Sequence, residues 1–171
     1  MVVHVVVDIS KCSGCRYCEM WCSYVHHKVF STSLSRIRVI KDDIIGMDFP
    51  IVCQHCEQVA CVSVCPTGAL YIDDKGIVKL ERERCTKCGA CLNVCPYHAV
   101  FKNPIDGTPL ICDLCDGNAV CITKCPTNAL SLYPLTEVSI TGLEKLGEHY
   151  KLAFSEYKKL LERWGIHAKF K

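Results

Sequence analysis

Apolar and polar positions alternate along this chain on two periods, and each period predicts a different element. From Ala69 to Leu80 the apolar residues Leu70, Ile72, Ile77, Val78 and Leu80 flank the polar run Asp73-Asp74-Lys75-Gly76. That pattern predicts two short strands around a tight turn. From Thr141 the period lengthens: Leu143, Leu146, Tyr150, Ala153, Phe154, Tyr157, Leu160, Leu161 and Trp164 make one apolar stripe at helical spacing. Thr141 with Glu144 forms a capping box and Gly165 is placed to end the turn, so a helix is predicted over 142–164. Its other face mixes Lys145, Glu148, Lys151, Lys158, Lys159 and Glu162, which excludes a membrane span. The stripe therefore docks on protein, either this chain's own core or another subunit.

Cysteine interrupts both patterns. Sixteen of the 171 residues are Cys, and they fall into four groups of four with none left over. Group one is Cys12, Cys15, Cys18 and Cys22; group two is Cys53, Cys56, Cys61 and Cys65; group three is Cys85, Cys88, Cys91 and Cys95; group four is Cys112, Cys115, Cys121 and Cys125. Groups one and three have the tight spacing C-x2-C-x2-C-x3-C, and all four end in C-x3-C. The last three groups continue into Cys65-Pro66-Thr67-Gly68-Ala69-Leu70, Cys95-Pro96-Tyr97-His98-Ala99-Val100 and Cys125-Pro126-Thr127-Asn128-Ala129-Leu130. Gly68, His98 and Asn128 are residue types that tolerate positive φ, so each tail is predicted to turn out of a short cysteine-bearing helix into a strand. Group one has Ser23 where the others have proline, and a different exit is expected there.

A disulfide scaffold must be exported, yet Met1 to Asp8 has no basic flank, no twin arginine and too short an apolar run for a signal peptide. The expectation is a cytoplasmic chain with reduced thiols. A formal net charge of +2, with cations spread rather than clustered, excludes a nucleic-acid partner, and no apolar run is long enough for membrane insertion. Zinc could use the C-x2-C knuckles, but it accounts neither for the third cysteine of each run nor for the proline. A 4Fe-4S cubane accounts for both. A loop with cysteines at spacings of three wraps one face, and the last cysteine, turned away by the proline, supplies the fourth ligand of a neighbouring cluster. Spacing alone supports this exchange of fourth ligands without saying which groups are partners. Pairing one with two and three with four stays open at this level.

Groups two and three, with the strand-turn-strand segment between them, read like a bacterial two-cluster ferredoxin. The order of all four groups resembles the iron-sulfur subunits of the dimethyl sulfoxide reductase family. Lys11-Cys12-Ser13-Gly14-Cys15-Arg16-Tyr17-Cys18-Glu19-Met20, followed by Ser33-Leu34-Ser35-Arg36-Ile37-Arg38-Val39, is similar to the small subunits of tungsten-containing aldehyde oxidoreductases. The resemblance covers residues 1 to about 135. It implies an α+β fold of two pseudo-symmetric ferredoxin-like units, an outer one of 1–30 with 105–135 and an inner one of 50–104, followed by a helical extension over 136–171. It further implies nested pairing and four 4Fe-4S clusters. Their ligands would be Cys12, Cys15, Cys18 and Cys125; Cys22, Cys112, Cys115 and Cys121; Cys53, Cys56, Cys61 and Cys95; and Cys65, Cys85, Cys88 and Cys91. On this pairing Val2 to Asp8 is a strand beside Leu130 to Tyr133. The implied partners are a larger tungsten or molybdenum pterin catalytic subunit, nearest the Cys12 cluster, and a ferredoxin-like carrier in an anaerobic cell. A free-standing polyferredoxin is the alternative.

Four oxidised cubanes with their thiolates bring the formal charge to about −6, so cations beside them are favoured. Lys11, Arg16, Lys87 and Lys124 are the candidates, against the plainer reading of solvated surface charges. No dinucleotide or phosphate-binding glycine pattern and no acid-base constellation is present, so no catalytic site is expected on this chain. His55, His26 and His27 are read as non-ligands, because the thiolates already complete each set. Tyr17, Trp21 and Tyr97 adjoin ligands and are expected to shield clusters from water. Asp113 and Asp116, on either side of Cys115, are expected to lower the potential of the cluster there by their negative charge.

Overall fold

Short strands with no room for a wide sheet pair off two by two. In this computed structural model, which describes residues 3–43, 46–56 and 59–134 together with Ser155 and Lys159, they form four separate antiparallel ribbons. Strand β1 (Val3–Val7) pairs with β8 (Leu130–Pro134), Val3 opposite Pro134 and Val7 opposite Leu130. This is the pairing expected for the N-terminal run, with Val5 and Leu130 turned into the core. β4 (Leu70–Ile72) and β5 (Val78–Leu80) are the expected hairpin. Its turn is held by Asp73, whose Oδ1 accepts from the backbone N–H of Lys75 at 2.9 Å and of Ile77 at 2.8 Å, while Gly76 takes φ 79°.

Two further ribbons have no counterpart in the sequence pattern. β2 (Ile37–Asp42) pairs with β3 (Met47–Val52), burying Ile37, Val39, Phe49 and Val52. Pro50 lies inside β3, which only a ribbon edge tolerates, because proline brings no N–H to the ladder. β6 (Phe101–Lys102) and β7 (Pro109–Leu110) are two residues each. Their loop supplies the order: Asn103 Oδ1 accepts from Ile105 N at 2.9 Å, and Asp106 Oδ1 accepts from the Thr108 N–H at 2.9 Å and hydroxyl at 2.6 Å.

Between the ribbons run four helices, α1 (Tyr17–His27), α2 (Ala60–Ser63), α3 (Ala90–Val94) and α4 (Val120–Thr123). Each carries a cysteine on its buried side: Cys18 and Cys22 on α1, then Cys61, Cys91 and Cys121. α1 packs against α4 and α2 against α3, so the outer and inner groups meet as pairs. Glu19 ties α1 to β2. Its carboxylate is buried and accepts from Val39 N at 2.5 Å; burial raises its pKa, opposed by that hydrogen bond and by the charges of Arg16 and Arg38. The helix predicted over 142–164 lies outside the described residues except for Ser155 and Lys159, both helical and exposed. No helix among the described residues is long and apolar enough to cross a membrane.

Candidate metal centres

Cys53, Cys56 and Cys61 line one cavity together with Cys95, which arrives just past the end of α3. Cys85, Cys88 and Cys91 line a second with Cys65, from just past the end of α2. The other eight sort by electrostatic reach. Burial first, and then Cys15 and Cys125 among its neighbours, push the Cys12 thiol up. Burial pushes Cys121 up to about 12, with Cys22 and Cys115 adding to it. Cys18 lies within reach of Cys12 and Cys121, and Cys112 of Cys22, Cys121 and Cys53. Groups one and four are thus interleaved, and so are groups two and three.

The binding loops wind through left-handed backbone that sequence reasoning missed. In group one Gly14 and Arg16 have φ 61° and 58° on either side of Cys15, and in group three Lys87 and Gly89 have 60° and 77° on either side of Cys88. His55 precedes Cys56 at 46°, and Leu114 precedes Cys115 at 53°. In groups one and three the alternating handedness turns successive N–H groups to one side and makes an anion-binding nest, whereas in group four Leu114, Cys115 and Asp116 are left-handed in succession. Accordingly the N–H groups of Gly14, His55 and Leu114 donate to the thiols of Cys12, Cys53 and Cys112, opposing the upward push of burial. The signal in the sequence is the glycine beside the second cysteine in groups one and three. Gly14 has no room for more than hydrogen: a Cβ there would run into the carboxylate of Asp48, which also pairs with Lys41 at 3.7 Å. Gly14→Ala is expected to cost about 1–2 kcal/mol from the left-handed backbone and the displaced carboxylate, read as a lower denaturant midpoint.

The predicted exits are present. The carbonyls of Cys65, Cys95 and Cys125 accept from the N–H groups of Gly68, His98 and Asn128 at 3.2, 3.1 and 3.4 Å. These last residues have φ 61°, 49° and 52°. Proline at the second position presets such a turn. The turn also folds N–H groups back onto the sulfur. Burial raises the Cys65 and Cys125 thiols, but the N–H groups of Thr67, Ala69 and Leu70 on one, and of Thr127, Ala129 and Leu130 on the other, bring both below the ordinary value.

Group one solves the same problem differently. The helix runs on past Cys22 to His27, and the buried Ser23 hydroxyl accepts from Ser31 N at 3.0 Å to bring the chain back. The returning segment lays Arg36 N against Cys22 Sγ at 3.3 Å. Burial is overcome by His26, Arg36 N–H and the Ser35 hydroxyl, and the Cys22 thiol is held low.

The donor set discriminates between metals. All sixteen cysteines are free. One tetrahedral zinc with Zn–S bonds near 2.3 Å needs its sulfurs about 3.8 Å apart. Among the described residues, the group of three or more ligand atoms within 4.8 Å of one another is His26, Asp113 and Cys115, and no cysteine trio meets that limit. The cysteines of groups two and three line two cavities, four to each. Soft sulfur donors in fours, spread about a common centre and lined with N–H groups, fit an iron-sulfur cluster. Burial pushes Cys53 up to about 12 and Cys61 and Cys91 up to about 11, so these thiols give up protons only when a metal replaces them.

The neighbours divide. Lys87 and Tyr97 each line a cysteine cavity, and burial, with Cys56 and Cys95 adding to it, pushes the Tyr97 phenol up. Lys11 instead pairs with Asp8 at 2.9 Å, and Lys124 sits over the Trp21 ring at 4.6 Å. Trp21 packs edge-on against Tyr17, Tyr24 and Phe30, and Tyr17 is 51% exposed, so this set forms a surface cluster and Tyr17 is no shield. His55 is buried beside its group. His27 remains apart from the cysteines, its pKa lowered by burial and by Arg36 and Arg82. The two carboxylates expected to act on the cluster at Cys115 both have partners. Asp113 is ion-paired with Arg36 and bonded to His26 at 3.0 Å, and Asp116 is ion-paired with Lys79.

The polyferredoxin-like subunit of an aliphatic sulfonate oxidoreductase from Pyrococcus furiosus is 40% identical over 89 residues, 52% of this chain and 51% of that protein. The electron transport protein HydN of Escherichia coli is 40% identical over 91 residues, 49% of this chain and 50% of that protein. The chain thus spans about half the length of the curated relatives it matches. A chain of the active site complex BamBC of benzoyl coenzyme A reductase aligns over 92% of this chain and 97% of its own length, at 30% identity and a TM-score of 0.49. The sequence description of the 4Fe-4S dicluster domain matches residues 46–134, more than half of the chain, and takes in groups two, three and four. With its short helices and paired strands around interleaved cysteine groups, the chain belongs to the 4Fe-4S dicluster domain family.

Proposed function

We infer that this chain is an electron-transfer subunit holding four 4Fe-4S clusters, one on each of the quartets Cys12/Cys15/Cys18/Cys125, Cys22/Cys112/Cys115/Cys121, Cys53/Cys56/Cys61/Cys95 and Cys65/Cys85/Cys88/Cys91. When bound, such clusters supply one-electron oxidation and reduction. The observation that carries this reading is the gathering of the cysteines in fours, seen where Cys95 joins Cys53, Cys56 and Cys61 and where Cys65 joins Cys85, Cys88 and Cys91. Cys18 lies within electrostatic reach of Cys121, Cys112 of Cys53, and Cys61 of Cys91, which supports a single row of four sites. Cys15 and Cys88, one in each terminal quartet, are the exposed thiols. The exposed thiols thus fall at the two ends of the proposed row, where partners would dock.

The partner at one end is a larger tungsten or molybdenum pterin oxidoreductase of the aldehyde-oxidising type, in the manner of the dimethyl sulfoxide reductase family. At the other end is a ferredoxin-like carrier in an anaerobic cytoplasm. The run from Lys11 to Met20 and the segment Ser33 to Val39 support the tungsten assignment by resemblance, and the Pyrococcus relative, an oxidoreductase subunit, supports the role. On this reading residues 1–135 are the cluster-bearing unit and 136–171 a C-terminal extension, docked on this chain's own core or on another subunit. Anaerobic purification from the native source tests this. About sixteen iron and sixteen labile sulfide per chain, and a co-eluting tungsten or molybdenum protein, are expected. Colourless protein with stoichiometric zinc overturns the reading.

A further inference from the structure

The Cys22 quartet differs from the other three in what surrounds its sulfurs. Cys65, Cys95 and Cys125 receive N–H groups from their own proline turns, which carry no net charge. Cys22 is instead met by a charged network drawn from three parts of the chain. Arg36 donates its backbone N–H to Cys22 Sγ at 3.3 Å, and its guanidinium is ion-paired with Asp113, whose side chain also accepts from Cys115 N at 3.0 Å. His26 Nε2 lies 3.0 Å from Asp113 Oδ1 and Nδ1 lies 2.8 Å from the Cys22 carbonyl. His26 thus bridges Asp113 and the backbone beside Cys22 and fixes where the carboxylate lies. His26, Arg36 and Asp113 are largely buried, with side chains 10%, 17% and 19% exposed. The Arg36 Nε–H is buried without an acceptor among the described residues.

The Arg36 guanidinium, a permanent cation, therefore faces the Asp113 carboxylate beside Cys22 and Cys115. Across a polar cavity of about 150 Å³, Lys79 and Asp116 form an ion pair of their own, and Arg82 is bonded to Asp106. The Arg36 charge sits where the interior screens charge poorly.

Resting on the assignment of a cluster to Cys22, Cys112, Cys115 and Cys121, the geometry points to Arg36 as the residue that holds up the reduction potential of this one cluster by offsetting the charge of Asp113, with His26 positioning that carboxylate. Reduction adds one negative charge to the cluster, and a nearby cation favours that state. The effect expected from Asp113 read as a lone acid is thereby opposed. It also gives Arg36 a role distinct from folding: it tunes the second site of the row.

The test is a potentiometric titration of the holo-protein followed by electron paramagnetic resonance, with iron content measured in parallel. Arg36→Gln keeps the backbone N–H and removes the charge. It is expected to lower one midpoint and leave the others in place, while Arg36→Lys restores that midpoint. Arg36→Met also keeps the backbone N–H and removes the charge, should lower the same midpoint, and provides the measurement if Arg36→Gln fails to take up iron. Mere loosening would admit water, stabilise the more highly charged reduced state and move the midpoint up, so the sign separates the two roles. An unchanged or raised midpoint in iron-replete Arg36→Gln, or an Arg36→Lys shift as large as that of Arg36→Gln, overturns the inference. Wild-type protein without iron would instead remove the functional reading on which it rests.

Discussion

Replacing Cys95 with alanine is expected to abolish the same cluster signal as replacing Cys53, and to leave intact the signal that depends on Cys85. The two cavities argue for this directly, since Cys95 lines the one with Cys53, Cys56 and Cys61, whereas Cys65 lines the one with Cys85, Cys88 and Cys91. Each single variant should lose about a quarter of the iron. The decisive pair is in the outer unit. Cys22→Ala should silence the signal that Cys112→Ala silences, because the Cys112 and Cys121 thiols both feel Cys22. Pairing of group one with group two would instead make Cys22→Ala match Cys53→Ala. Iron and sulfide analysis with electron paramagnetic resonance of the reduced proteins distinguishes the outcomes. On the proposed serial order, losing an internal quartet is expected to stop electron transfer between the ends, whereas the exposed terminal sites should still reduce separately.

Removing the iron by chelation under reducing conditions should abolish cooperative unfolding altogether. The core has little else to hold it. Cys18, Cys22, Cys53, Cys61, Cys91, Cys112 and Cys121 belong to the buried set, interleaved with Val5, Ile37, Val52, Val78 and Leu130. Three of the four helices are four or five residues long, and α1 has eleven, too short to persist without packing. Two-stranded ribbons are marginal by themselves. Binding free energy at such sites is folding free energy, because the ligands are brought together only in the folded chain. Circular dichroism should show a broad, non-cooperative change on heating, and amide exchange should be fast throughout. Iron and sulfide added back anaerobically should restore the transition. A chelated protein that still melts sharply would mean that the ribbons carry the fold.

Several local features are legible in the amino-acid sequence alone. The turn at Asp73 to Gly76 and the three proline exits with Gly68, His98 and Asn128 at positive φ follow from residues within a few positions of one another. The ribbon of β2 and β3 is not legible there, since Pro50 breaks the strand pattern and its tolerance depends on lying at an edge. Nor is the left-handed backbone at Arg16, Lys87 and Leu114, where the requirement for a nest overrides residue preference. Asp113 shows the limit most clearly. In sequence it is an acid beside a ligand; in space His26, 87 residues away, bonds it and Arg36 pairs with it.

The linear order of residues by itself determined the number of thiols, their grouping in fours and the turns that redirect the fourth cysteine of the last three groups, because spacing and proline chemistry act over a few bonds. Which loops face each other, which thiols are exposed and what charge surrounds Cys22 were decided only by tertiary structure. Those depend on helix α1 meeting α4 and α2 meeting α3, contacts whose free energy comes from burial between distant segments.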